Sequence, residues 1–185
     1  MDFDPRHYGE RVARILALDG GGCRLMPLVA GGCSSREARK ALQHELPEKL
    51  FPDARRPSAA LAGLWLYFSA FEEAHRLAQD DHSAEGSLWH AILHRQEPDS
   101  GNSAYWFKKA GSHETHKELS REARPIVSRY PGAEFRPSQP WDPFGFILFC
   151  ERAREQPGSA SELAALDIQL AEWQLLFDYC ARVKD

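Results

Sequence analysis

The spacing of apolar residues near the C-terminus is the strongest constraint on the fold. Over that stretch apolar side chains recur every three or four residues, at Leu163, Leu166, Leu170, Trp173, Phe177 and Cys180. This is the period of an α-helix with an apolar face, whereas a half-buried β-strand has a period of two. No segment alternates apolar and polar residues over the length of a strand. We therefore predict an all-α protein.

Proline and glycine residues divide the rest of the chain into helical segments. We predict a single compact domain, residues 1–185, of about six or seven helices. Three of them, 58–79, 87–97 and 100–110, follow one another closely, and Pro98 ends the second before Asp99 or Ser100 caps the third. Residues 1–33 contain two glycine clusters, which predict a glycine-rich, irregular N-terminal segment.

Charge and composition exclude some classes of partner. The net charge of −4 is spread along the 185 residues without a basic stripe, so we expect no nucleic-acid partner. No apolar run reaches membrane-spanning length, and no signal-peptide pattern is present, so we expect no membrane partner and a cytoplasmic location. The four cysteines form no C-x-x-C pair, which favours reduced thiols. None of these features predicts the oligomeric state.

The stretch "RILALDGGGCR" resembles the oxyanion-hole segment of patatin-like lipases, an apolar strand followed by D-G-G-G-x-R. The resemblance covers about ten residues and implies backbone amides that stabilise an oxyanion. That chemistry also needs a nucleophilic serine in a G-x-S-x-G turn, which the sequence lacks. We therefore interpret the glycines as a flexible turn and predict no lipase activity.

A second resemblance covers "WHAILHRQEPDSGNSAYWF", residues 89–107. This stretch is similar to the WHxxxHRxExDxxNxxYWF box of a family of uncharacterised hypothetical proteins. No activity is assigned to that family, so the resemblance implies a shared fold and transfers no catalytic residue.

Histidines and carboxylates are concentrated in the three central helices. His90 and His94 lie one helical turn apart, and Glu97 extends their stripe. Glu72 and His75 lie on one face of the preceding helix. We predict a polar site where helices 58–79, 87–97 and 100–110 meet, and small-molecule binding or acid–base chemistry is the working hypothesis.

In that hypothesis His90 or His94 is a general base oriented by a carboxylate such as Glu72. The substrate would be a small molecule bound by the remaining polar and aromatic side chains of the region. Those predicted binding residues are Asn102, Tyr105, Trp89, Trp106 and Glu97.

Two alternatives use the same residues. His90 and His94 can share a divalent metal ion with His82 or His75 as a further ligand, although the sequence requires no cofactor. Alternatively the polar cluster is structural, Arg95 and Glu97 form an exposed pair, and the chain is a non-catalytic helical interaction protein. The sequence leaves all three readings open.

Overall fold

The computed structural model describes residues 3–183, and within them the chain is helical without a β-strand. The all-α prediction is confirmed, but the described residues form ten α-helices and two short 3-10 helices rather than six or seven helices. The α-helices are α1 Glu10–Leu16, α2 Arg36–Leu42, α3 Pro47–Leu50, α4 Pro57–Tyr67, α5 Phe71–Asp80, α6 Ala84–Gln96, α7 Ser100–Ala110, α8 Glu114–Ser128, α9 Pro143–Arg154 and α10 Ala160–Ala181.

The prediction of one helix over 58–79 is wrong, because the chain breaks between α4 and α5. Ser69 has a φ of 56°, a left-handed conformation that no α-helix contains. The amide of Ala70 donates to the carbonyl of Trp65, which closes the end of α4. α5 therefore leaves in a new direction, and the histidine that it carries no longer shares a face with the apolar residues of α4.

The N-terminal segment is more ordered than its glycines predict. A 3-10 helix, Pro5–Tyr8, precedes α1, and a second one forms at Gly20–Gly22. Both lie inside 1–33, so the prediction that this stretch is irregular is wrong for its described part up to Gly22. From Cys23 to Ser35 the backbone has no helix, as predicted.

The side chain of Tyr67, from α4, fills the glycine turn formed by residues 19–22. The hydroxyl of Tyr67 accepts hydrogen bonds from the amides of Gly22 and Arg24, at 3.1 and 3.0 Å, and donates one to the carbonyl of Asp19 at 2.6 Å. The amide of Gly22, one of those that an oxyanion hole would use, is thus turned toward a buried tyrosine. The turn anchors the N-terminal segment to α4.

Replacing this tyrosine tests the anchoring role. Tyr67→Phe leaves one buried and two partly buried backbone groups without their partner and should lower the free energy of unfolding by about 1–3 kcal/mol in chemical denaturation. Tyr105→Phe is the matched control, since Tyr105 is 59% exposed and should change stability by less than about 0.5 kcal/mol. Equal stabilities for the two variants would contradict the anchoring role.

The longest helix, α10, belongs to both apolar clusters of the described chain. Its first half, around Ile168, packs with α8 and α9, and its second half, around Trp173 and Phe177, packs with α4 and α6. Buried Cys150 and Cys180 lie one in each cluster, and all four cysteines are free. Between residues 3 and 183, no helix combines the length and the apolar character needed to cross a membrane.

Candidate metal centre

Three histidines converge between α5 and α6. His75 comes from α5, and His90 and His94 come from one face of α6. One ring nitrogen from each lies within 4.8 Å of the others, and the Nε2 atoms of His75 and His90 are 3.0 Å apart. Among the described residues this is the one group of three or more histidine, cysteine or carboxylate side chains with that geometry.

The helices hold these rings by simple geometry. Residues four apart on a helix lie above one another, so the rings of His90 and His94 stack with centroids 4.9 Å apart and planes 16° apart. The ring of His75 meets both at nearly a right angle, with interplanar angles of 86° and 88°. Two rings therefore form one wall of the cluster and the third closes it from α5.

α7 closes the other side of His90. The indole of Trp106 stacks on the His90 ring with centroids 3.9 Å apart, and the Nζ atom of Lys109 lies 4.2 Å from the Trp106 ring. α7 is fixed against α6 by the buried Ser103 hydroxyl, which donates to the Ala91 carbonyl at 2.8 Å. Stacking on both faces orients the His90 ring without a hydrogen bond to protein at Nδ1.

Burial favours the neutral form of two of the three imidazoles, those of His90 and His94. Burial, followed by the proximity of His75, His94 and Lys109, lowers the pKa of His90 to about 4. Burial also lowers the pKa of His94, although the carboxylate of Glu97 works in the opposite direction. Neutral imidazole is the form that binds metal ions, so the lowered pKa values of His90 and His94 favour metal binding by these two rings.

Two ring nitrogens of the cluster are short of partners. Nδ1 of His90 and Nδ1 of His94 are buried and make no hydrogen bond of good geometry within residues 3–183. Nδ1 of His94 does lie 3.1 Å from a carboxylate oxygen of Glu97 and 4.0 Å from one of Asp99. In His90 the unpartnered atom is not the one that faces His75, because that contact is made by Nε2.

A cavity of about 420 Å³ lies beside the cluster. His75 and Glu97 both line it, so the histidine group faces this open space through His75. The other lining residues are Phe71, Glu72, Arg76, Gln79 and Asp80. His90 is only 2% exposed and lies behind His75, where bulk water does not reach it.

The remaining predicted site residues lie in several places. Glu72 lines the cavity and is exposed, and within residues 3–183 it forms no hydrogen bond or ion pair with the histidines. Asn102 is turned away, because its amide donates to Asp99 at 2.7 Å in the cap of α7. Tyr105 is largely exposed, and His82 lies in another cavity with Arg55 and Arg56. The structure thus groups three of the four predicted metal ligands.

Trp89 belongs to the core rather than to a pocket wall. Its side chain is fully buried, and a Cβ placed on Gly63 of α4 would come within 2.7 Å of its ring. Of the two predicted aromatic walls, only Trp106 touches the histidines. The stacking of Trp106 on His90 is a feature that sequence spacing did not reveal, because the two residues lie on different helices.

The predicted exposed pair of Arg95 and Glu97 does not form. Arg95 is buried, and its guanidinium pairs with Glu172 on α10 while also donating to Gln169 at 3.3 Å. Glu97 contacts His94 instead. α6 thus forms a buried ion pair on the side that faces α10 and carries histidines on the side that faces α5.

Fold and site together define an all-helical protein with a three-histidine cluster beside an open cavity. No family model, no curated protein and no solved structure is significantly similar to the chain. The similarity of residues 89–107 to a family of hypothetical proteins therefore stays a prediction.

Proposed function

We propose that His75, His90 and His94 bind one divalent transition-metal ion, with zinc the best fit, and that the ion offers an open position to a small molecule in the neighbouring cavity. The observation that carries this proposal is the convergence of three ligand nitrogens within 4.8 Å. Three histidines and an exchangeable fourth position are typical of catalytic zinc sites, whereas structural sites have four protein ligands.

The distances fit a metal ion after small adjustments. Zinc–nitrogen bonds of about 2.0–2.1 Å require ligand nitrogens about 3.3 Å apart in a tetrahedral site. The separation of 3.0 Å between His75 and His90 is slightly short and the upper limit of 4.8 Å is slightly long. Side-chain movements of about 1 Å bring all three nitrogens to that spacing.

Glu97 supports the proposal from outside the ligand set. Metal-binding histidines usually donate their second ring N–H to a carboxylate, which orients the ring and strengthens it as a ligand. The contact of 3.1 Å between His94 Nδ1 and Glu97 has this form when His94 binds the ion through its other nitrogen. Glu72, which also lines the cavity, is then the carboxylate available as a base for a water on the ion.

Metal content is the direct test. Protein produced without a histidine tag and analysed by elemental mass spectrometry should contain close to one zinc or other divalent transition-metal ion per chain. His75→Ala and His94→Ala should each reduce that content at least about tenfold, because the two remaining histidines do not hold the ion tightly.

His82→Ala is the matched control. His82 is exposed and lines a different cavity, so its loss should leave the metal content unchanged. Protein that contains no metal, and that takes up none when zinc is supplied after chelation, would overturn the proposal. The cluster would then be a structural network between α5 and α6, and the chain a helical interaction protein.

The location proposed for this protein is the cytoplasm. Cys33, which is partly buried, and the exposed Cys23 are free thiols, and a reducing compartment keeps such thiols free.

A further inference from the structure

A second groove lies next to the cavity that His75 lines, and it also borders α5. Its volume is about 490 Å³, and it runs between α2 and α5 with Trp65 of α4 at its floor. The residues that line it are Arg36, Arg39, Lys40, Gln43, Trp65, Glu72, Glu73 and Arg76. Its size is that of a small-molecule pocket.

The groove carries positive charge in a protein whose net charge is −4. Four basic and two acidic side chains line it. Arg39 is paired with Glu73 at 2.6 Å. Among residues 3–183 nothing forms an ion pair or a side-chain hydrogen bond with the other three cations, Arg36, Lys40 and Arg76.

Glu72 and Arg76 connect the groove to the candidate metal centre. Both residues line this groove and also the cavity that His75 and Glu97 line. His75 itself precedes Arg76 on α5. A molecule of ordinary metabolite size can therefore place one end among the cations and the other end beside the histidines.

We propose that this groove binds the phosphate group of a small-molecule substrate whose other end reaches the metal ion. Guanidinium groups match phosphate oxygens with paired, charge-assisted hydrogen bonds. The three unpaired cations and the carboxylate of Glu72 leave the groove with a net charge of +2, which favours a doubly charged group over a single carboxylate. The reach to the ion rests on the proposed function, whereas the binding of phosphate does not.

Inorganic phosphate is the probe. Calorimetric titration of the full chain after treatment with a chelator should show binding that weakens as the salt concentration rises. Arg76→Gln should weaken it about tenfold, the effect of one lost charge-assisted hydrogen bond, and Lys40→Gln should weaken it in the same direction. Acetate at the same concentrations should bind at least about tenfold more weakly than phosphate.

Arg136→Gln is the matched control. Arg136 is an exposed arginine outside the groove, so its replacement changes the net charge equally and should leave phosphate binding unchanged. No binding by the unaltered protein, equal losses in R76Q and R136Q, or equal binding of acetate would each overturn the inference. These results do not involve the metal content, so phosphate binding and metal binding can fail separately.

Discussion

Zinc added to the metal-free protein at about one hundred times its dissociation constant should stabilise the fold by about 2.7 kcal/mol. A ligand that binds the folded state alone stabilises it in this way, and the three nitrogens meet only when α5 and α6 are both folded. For a chain of 185 residues the melting temperature should rise by about 5–10 °C. Differential scanning fluorimetry with and without zinc measures the change.

The variants separate a metal site from weak surface binding. His75→Ala and His94→Ala should lose the zinc-dependent rise in melting temperature, while His82→Ala should keep it. A rise that survives in H75A and in H94A would contradict the site. The metal-free stabilities carry further information, because a loss of about 3 kcal/mol or more in H94A without zinc would mean that the ring is needed for folding itself.

Helical periodicity predicted the part of this site that lies on one helix. The spacing of His90 and His94 places both rings on one face of the helix, whatever that face packs against. The sequence alone therefore predicted that the two rings lie side by side. His75 was among the candidates because it lies on the preceding helix. Its selection over His82 depended on how α5 leaves α4, which no periodic pattern records.

The turn between α4 and α5 is the part of the site that the sequence predicted least well. The apolar residues of α4 and the polar ones of α5 continue one helical spacing across Ser69, so the sequence predicts one helix. The left-handed φ of Ser69 ends it, and serine has no strong preference for that conformation. The polar half is thereby turned so that His75 faces α6.

Two other wrong predictions, for Asn102 and Arg95, arise because a polar side chain can bond either to a nearby residue or to one on a distant helix. Asn102 and Asp99 satisfy each other in the cap of α7, which takes the amide out of the predicted ligand site. Arg95 finds its carboxylate on α10, 77 residues away, rather than on Glu97 two residues away. A sequence shows the nearby partner, and only the packing of helices shows the distant one.

α6 therefore carries different chemistry on two sides. On the side that faces α10, Arg95 and Glu172 fix the rotation and height of the helix in a buried ion pair. On the side that faces α5, His90 and His94 occupy positions that this rotation determines. The ion pair joins α6 to α10 and the histidines join α6 to α5, so the two clusters act on different pairs of helices.

The buried pair gives the second large prediction. Burial opposes the charged form of Arg95, but the carboxylate of Glu172 more than compensates and raises the pKa of the guanidinium above its ordinary value. The guanidinium also stacks on Phe146, with 4.6 Å from its central carbon to the ring centroid. Glu172→Gln removes the balancing charge and should lower the free energy of unfolding by about 3–5 kcal/mol, because a buried cation is left uncompensated.

Two matched variants decide whether charge or packing is responsible. Glu118→Gln removes one member of the exposed ion pair with Arg121 and should cost less than about 1 kcal/mol in the same urea denaturation experiment. The double replacement of Arg95→Met and Glu172→Leu removes both charges at similar volume and should recover most of the stability lost in E172Q. If E172Q costs no more than E118Q, Arg95 does not depend on Glu172. If instead the double variant is as unstable as E172Q, shape rather than charge holds α6 against α10. A recovered double variant that still binds zinc would show that the rotation of α6 can be set by apolar packing, with the histidines unmoved.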